Sequence, residues 1–185
     1  TNKINAQKFP TVIVGRKCEH LSSVYADDYK IGALAAEAIL KRNCKNPIYL
    51  GDKLSVDISR ERAQGFLNEL KKVGVNPQIY YAESHEESIE NLKTAFSINE
   101  VDSIFCFSDF IAFKVVKQLY KLNRTDIVVV GVDNIQNEIP FPFEILSIGQ
   151  NKEKIANDVI GLLFKQILNA STDVNFIVEN IFLVE

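Results

Sequence analysis

Charged, hydroxyl and amide side chains occur where the apolar segments of this chain are expected to end. They are Arg16, Ser108, Asp133 and Gln150, to which we add Arg62 at the start of the helix expected after the strand at 47–51. An arginine fork and a carboxylate can each engage two adjacent hydroxyl groups, and serine and glutamine both donate and accept hydrogen bonds. This mixture suits a neutral polyhydroxylated ligand, for which each hydrogen bond to a charged group contributes about 1.5–3 kcal/mol. Tyr25, Phe107 and Phe110 could supply an apolar ring face.

Each of these residues also has a purely structural interpretation. Asp133, taken alone, is more typical of a turn after a strand. Arg62 alone is more typical of an exposed helix residue, and Gln150 of a loop amide. Asp109, which follows Ser108, is expected to cap a helix rather than to contact a ligand. The functional interpretation therefore depends on the whole ordered set.

The elements that must position these side chains alternate along the chain. The segment 126–132 is rich in valine and isoleucine, which is typical of a strand buried on both faces. Further strands are expected at 9–14, 24–26, 47–51, 78–81, 102–107, 145–148 and 176–184. Helical periodicity follows most of them, from Tyr29, from Ser59, from Ser84 or Ser88, after Asp109 and over 152–169. This order predicts an α/β fold with a parallel sheet and helices on both faces, and ligands bind such sheets beyond the carboxyl ends of the strands.

Composition excludes several classes of function. The chain has 185 residues, 46% hydrophobic and 24% charged, with a net charge of −3, which argues against a direct grip on phosphate backbones. Its sparse cysteines, Cys18, Cys44 and Cys106, have neither disulfide nor metal spacing and favour a reducing compartment. No apolar run has transmembrane length and no signal peptide is visible. Because the sequence starts at Thr1 and contains no methionine, upstream residues are expected to be missing.

Catalysis is not expected. The sequence contains none of the GxGxxG, GxxxxGK[ST], GxSxG and HExxH motifs. Its histidines, His20 and His85, lie apart from any candidate nucleophile. No cofactor or metal site is predicted.

Six short motifs occur in order along the chain. FPTVIVGR at 9–16 resembles the pattern PVVxxDR, and VYADDYKIG at 24–32 resembles VxxDNxxGG. SRERAQGF at 59–66 resembles SxxRxxGF, and IFCFSDFIA at 104–112 resembles FxxNDxxAxG. VVGVDN at 129–134 and LSIGQ at 146–150 resemble IxVxGxDN and LTTIxQ. In this order the motifs resemble those of LacI/GalR-type transcription regulators and of periplasmic pentose-binding proteins, and the resemblance covers nearly the whole chain.

The resemblance implies a periplasmic-binding-protein-like type I fold with two lobes, of which this chain holds mainly the second. Residues 1–27 would be a remnant of the first lobe, 28–149 the second lobe, 150–172 a first-lobe helix, and 173–185 the C-terminal strand. The effector contacts of the family would fall on Arg16, Arg62, Asp133 and Gln150, with Ser108 in place of the usual asparagine. Asp27 would lie near the crossing between lobes.

The implied function is that of the effector-binding domain of a bacterial repressor. It would bind a small sugar-like ligand in the cleft between lobes and switch DNA binding allosterically. The expected partners are a carbohydrate and, through a helix-turn-helix outside this chain, operator DNA; a cytoplasmic homodimer without membrane contact is expected. The alternative is a periplasmic or lipoprotein sugar-binding component of a transporter.

Some positions depart from the family pattern. Gly15 replaces a frequent aspartate that accepts from sugar hydroxyls in pentose binders. Val56 and Ile58 occupy positions that carry polar contacts in purine-sensing relatives. A purine effector is therefore disfavoured, and the hydrogen bonds to a pentose would differ from the usual ones.

Overall fold

The computed structural model describes residues 9–53, 55–98, 100–135, 145–169 and 174–184. The chain forms two compact units. The first unit comprises Thr1–Asp27 and Gln150–Ile181, and the second comprises Asp28–Gly149 and Phe182–Glu185. We describe each unit by itself.

Strands and helices alternate over most of the described chain. The strands are β1 (Val12–Val14), β2 (Ser22–Ala26), β3 (Pro47–Gly51), β4 (Gln78–Tyr81), β5 (Ser103–Cys106), β6 (Val128–Val132), β7 (Leu146–Gln150), β8 (Phe176–Glu179) and β9 (Ile181–Val184). The helices are α1 (Asp28–Leu40), α2 (Asp57–Lys71), α3 (His85–Ile98), α4 (Asp109–Lys121) and α5 (Lys152–Asn169). The predicted bounds of β3, β4 and α5 are confirmed.

The second unit is built on a sheet with the strand order β4-β3-β5-β6-β7-β9. Its pairs from β4 through β7 are parallel. Alternate residues of β3 and β5 face opposite sides: Ile104 and Cys106 join the aliphatic core with residues of α3 and α4. On the other side the Phe105 ring lies 5.2 Å from that of Phe66 in α2. Helices therefore cover both faces, and the predicted α/β fold with a mostly parallel sheet is confirmed.

The first unit contains a smaller sheet with the order β1-β2-β8, in which both pairs are parallel. Gln166 of α5 ties this helix to the edge of the sheet, because its side chain accepts from the Thr11 amide (2.6 Å) and donates to the Thr11 carbonyl (3.1 Å). Glu179 at the end of β8 is buried and accepts from Lys154 Nζ at 3.1 Å. These contacts anchor both ends of α5.

The structure corrects several element boundaries. The single strand expected over 176–184 is two strands, β8 and β9, which belong to different sheets. The apolar residues of both strands are separated only by Glu179 and Asn180, and this short polar interruption does not by itself predict a change of sheet. The strand expected over 9–14 is confined to Val12–Val14. Among the described residues, no helix has the length and apolar character needed to cross a membrane.

Candidate functional site

Arg62 is a buried residue, which makes its interpretation as an exposed helix residue wrong. It is only 6% exposed, and its Nε donates to Asp28 Oδ1 at 2.8 Å. Asp28, the first residue of α1, is also buried. Arg62 is buried because α2 packs closely on α1. The helix α2 itself begins at Asp57, before the expected start at Ser59.

Two glycines permit this close packing. A Cβ on Gly32 of α1 would overlap the Arg62 carbonyl group, and a Cβ on Gly65 of α2 would overlap the Tyr29 carbonyl group. Backbone therefore meets backbone where the two helices cross, which glycine alone allows. This crossing brings Arg62 within reach of Asp28.

The Arg62 guanidinium is also fixed by the segment after β5. Nη1 donates to the Phe107 carbonyl at 2.5 Å, and Cζ lies 4.7 Å from the centre of the Phe107 ring. Nη2 has no hydrogen-bond partner among the described residues, and within them no fully buried polar side-chain atom lacks a partner. Nη2 is therefore accessible, and the contacts of Nε and Nη1 already fix the orientation of the guanidinium.

Asp133 lies directly after β6 in an unusual backbone conformation. Its φ is 100° and that of Asn134 is 49°, both in the left-handed region that L-residues seldom adopt. The Asp133 amide donates to the Ile148 carbonyl at 2.9 Å, which holds the turn against the end of β7. The carboxylate is half-buried and has no hydrogen-bond or ionic partner among the described residues. It remains available as an acceptor.

Asp109 fixes the turn that carries Asp133. Its fully buried carboxylate accepts from the Ile135 amide at 2.9 Å and from the Ser147 hydroxyl at 2.8 Å. Ser147 Oγ in turn accepts from the Asn134 amide at 3.0 Å. The expectation that Asp109 caps α4 is wrong: Ser108 is the N-cap residue, and Asp109 is the first helical residue.

Ser108 and Asp133 lie at the carboxyl ends of neighbouring strands. Phe105 of β5 pairs with Val130 of β6, and Ser108 and Asp133 each follow this pair at the same sequence distance. The Ser108 hydroxyl is half-buried and has no partner among the described side chains and backbone groups. The structure thus brings Arg62, Ser108 and Asp133 to one edge of the larger sheet.

Arg16 and Gln150 belong to the first unit. Arg16 is exposed and follows Gly15, the residue directly after β1, which has a φ of 84° and donates its amide to the Val24 carbonyl. Gln150 is the last residue of β7 and is half-buried. Neither side chain has a polar partner in the described part of the chain. Asp27, expected near the crossing between lobes, is exposed directly before α1.

Chemically, the edge of the larger sheet combines a guanidinium donor, a hydroxyl that donates and accepts, and a carboxylate acceptor. The partly exposed Phe107 ring adds an apolar surface beside Arg62. Within the described ranges, no group of three or more histidine, cysteine, aspartate or glutamate residues could hold a metal ion. The arrangement can bind a ligand with several hydroxyl groups, and it presents no nucleophile paired with a base.

Sequence reasoning missed the roles of Asp28 and Asp109 as residues that hold other site residues in place. Asp28 lies 34 positions from its partner Arg62, so no local pattern links the two residues. The available signal was the pair of glycines, Gly32 and Gly65, inside helical segments. Glycine is unfavourable there unless two backbones approach closely.

Comparison with known proteins identifies the family. Residues 36–181 match the family described as periplasmic binding protein-like domain. The HTH-type transcriptional repressor PurR of Actinobacillus pleuropneumoniae serotype 3 (strain JL03) is 24% identical over 173 residues, covering 88% of this chain and 52% of that protein. This chain therefore spans about half the length of the curated relatives that it matches.

Solved structures show the same fold. A LacI family transcriptional regulator from Enterococcus faecium with bound ribose superposes with a TM-score of 0.85 at 14% identity, over 100% of this chain and 72% of that one. A periplasmic binding protein/LacI transcriptional regulator from Alkaliphilus metalliredigens QYMF, complexed with D-xylulofuranose, gives 0.81 at 21% identity, over 94% and 68%. The matching proteins are transcriptional regulators rather than enzymes, in agreement with the sequence. The chain belongs to the periplasmic binding protein-like domain family, and its fold is that of the effector domains of LacI-family regulators.

Proposed function

We propose that this chain is the effector-binding domain of a LacI-type transcriptional repressor and that its effector is a small sugar-like molecule. The observation that carries the proposal is the state of Arg62. Its guanidinium is buried and oriented by Asp28 and Phe107, yet Nη2 has no partner among the described residues. A donor held in this way loses little conformational entropy when a ligand binds, which favours affinity.

The neighbouring groups support a polyhydroxylated ligand. The Asp133 carboxylate and the Ser108 hydroxyl, both without partners in the described chain, stand at adjacent strand ends. A carboxylate can accept from two adjacent hydroxyls, and the Phe107 ring offers an apolar surface beside Arg62. Structural neighbours with bound ribose and D-xylulofuranose support the same class of ligand.

Arg16 and Gln150 are proposed as further effector contacts. Neither side chain has a polar partner among the described residues, so both can bond a ligand. Both residues also occupy contact positions in the motifs that resemble those of the family. The second unit is assigned to the second lobe of the effector domain, and the first unit to part of the first lobe.

The proposed mechanism is a population shift. The effector binds one conformation of the domain better than the other and so changes the fraction of protein that is competent to bind DNA. Operator DNA is bound by a helix-turn-helix outside this chain, in a cytoplasmic homodimer that reads two half-sites. The repressors among the relatives support this role over that of a transporter component.

The test is a panel of neutral monosaccharides and disaccharides, measured by calorimetry on the full-length protein. At least one sugar should bind, and Asp133→Gly should weaken its binding at least tenfold, because a hydrogen bond to a charged group contributes about 1.5–3 kcal/mol. Glycine is the appropriate replacement, since it tolerates the φ of 100° at this position whereas alanine would be strained.

The matched control is Asp126→Gly, which removes an exposed carboxylate just before β6, at its opposite end. Sugar affinity should be unchanged in this variant. If Asp133→Gly binds the sugar as tightly as the wild type, the site assignment is wrong. If no sugar binds the wild type, the sugar-effector function is wrong.

A further inference from the structure

We propose that the effector is an uncharged sugar and that the site rejects the phosphate monoester of the same sugar. This inference rests on the proposed function and specifies its ligand class. Its basis lies in the second unit, where the arginine and lysine side chains discussed below each lie beside a carboxylate and Asp133 has no cationic partner among the described residues.

The first step concerns the charge on Arg62. Asp28 lies 2.8 Å from it, and the two side chains are 8% and 7% exposed, so little water screens the pair. Opposite charges in such surroundings attract strongly and act on a third group nearly as one neutral unit. Arg62 can therefore donate hydrogen bonds through Nη2, but it adds little net positive potential.

The cations after β3 also lie beside carboxylates, although these two pairs are at the surface. Lys53 lies 3.4 Å from Glu83, and Arg60 is bonded to Asp57. Asp133, in contrast, has no cationic partner among the described residues. The carboxyl edge of the larger sheet therefore carries an unmatched negative charge.

The helix ends at this edge do not supply an anion site either. The positive end of a helix can bind phosphate when its first amides are free. The first turn of α4 begins with the buried carboxylate of Asp109, and that of α2 begins with Asp57. Both helix ends are thus already faced by a negative side chain.

The remaining step concerns the charge of the ligand. A phosphate monoester brings about −1.5 to −2 charges at neutral pH. Sites that bind it normally provide unmatched arginines or lysines, and placing it beside Asp133 would juxtapose like charges.

The experiment compares matched ligand pairs on the full-length protein by calorimetry: D-ribose with D-ribose 5-phosphate, D-fructose with D-fructose 1-phosphate, and D-glucose with D-glucose 6-phosphate. For the pair that contains the preferred sugar, the neutral member should bind at least about tenfold more tightly, because like-charge juxtaposition is strongly unfavourable.

The variant Asp28→Asn tests the source of this selectivity. It retains an oxygen acceptor for Arg62 but removes the neutralising charge, so the ratio of the affinities for the neutral and the phosphorylated sugar should fall severalfold. Asp126→Asn, the control, makes the same change in net charge on an exposed carboxylate at the opposite end of β6 and should leave the ratio unchanged.

The outcomes separate this inference from the proposed function. Equal or tighter binding of the phosphorylated member would overturn the inference and leave a sugar-derived effector in place. An unchanged ratio in Asp28→Asn would show that Asp28 does not set the charge selectivity, which also overturns it. If no member of any pair binds, the proposed function and the inference both fail.

Discussion

Arg62 Nε lies 2.8 Å from Asp28 Oδ1, and this buried ion pair joins the start of α1 to the middle of α2. The pair both holds the two helices together and orients the guanidinium. Truncation of either side chain alone should be costly, because it leaves the other as an uncompensated buried charge.

Asp28→Ala should therefore lower the free energy of unfolding by about 3–5 kcal/mol. The double variant Asp28→Leu/Arg62→Met should recover most of this loss, since a buried pair can often be replaced by apolar residues of similar volume. Urea unfolding of the single and double variants measures both effects. Asp57→Ala, which breaks the exposed pair with Arg60, should cost less than about 1 kcal/mol. An equally small cost for Asp28→Ala would contradict the role given to the buried pair.

Asp109 should act as a positioning residue for Asp133. Asp109→Ala leaves the Ile135 amide and the Ser147 hydroxyl without their acceptor, which should cost about 1–3 kcal/mol for each group left unsatisfied. The backbone amide of Ile135 should exchange its hydrogen faster than in the wild type, while amides of α5 in the other unit are unaffected. Hydrogen exchange measured by NMR checks this. Unchanged protection of Ile135 would show that the turn is held by other contacts.

The crossing of α1 and α2 should not tolerate a methyl group at Gly65. Gly65→Ala would place Cβ against the Tyr29 carbonyl, so the helices must move apart and the protein should lose about 1–3 kcal/mol of stability. Gly161→Ala is the matched control within a helix, because no atom lies within 4 Å of the added Cβ. That variant should gain about 0.5–1 kcal/mol. Thermal unfolding of both variants distinguishes close packing from helix propensity, and stabilisation by Gly65→Ala would refute the packing argument.

Cys106 should be unreactive in the folded protein. Burial raises the pKa of its thiol, and the charge of Asp109 acts in the same direction, so the thiol stays protonated at pH 8. A thiol-specific reagent at that pH should modify the partly exposed Cys18 first and Cys106 only on unfolding. Because the unfolded thiol ionises near its usual pKa of about 8.5, this group lowers stability as the pH rises above that value. Rapid labelling of Cys106 under native conditions would show that the core opens locally.

Local sequence patterns predicted the type and order of most of the helices and strands. Valine-rich β6 and the periodic helix α5 were evident because hydrophobic period and β-branching act within a few residues. The sequence also indicated that Arg62, Ser108 and Asp133 would gather at one edge, since the carboxyl ends of parallel strands share that edge.

The way in which those residues are held depends on tertiary contacts. Asp28 and Arg62 meet across 34 positions, and Asp109 and Ser147 across 38, so no local pattern records either contact. The division of 176–184 between two sheets and the left-handed conformation of Asp133 likewise depend on distant partners. The physical reason is that local interactions set the type of each element, whereas packing, burial and long-range hydrogen bonds determine which side chains are neutralised and which remain free to bind a ligand.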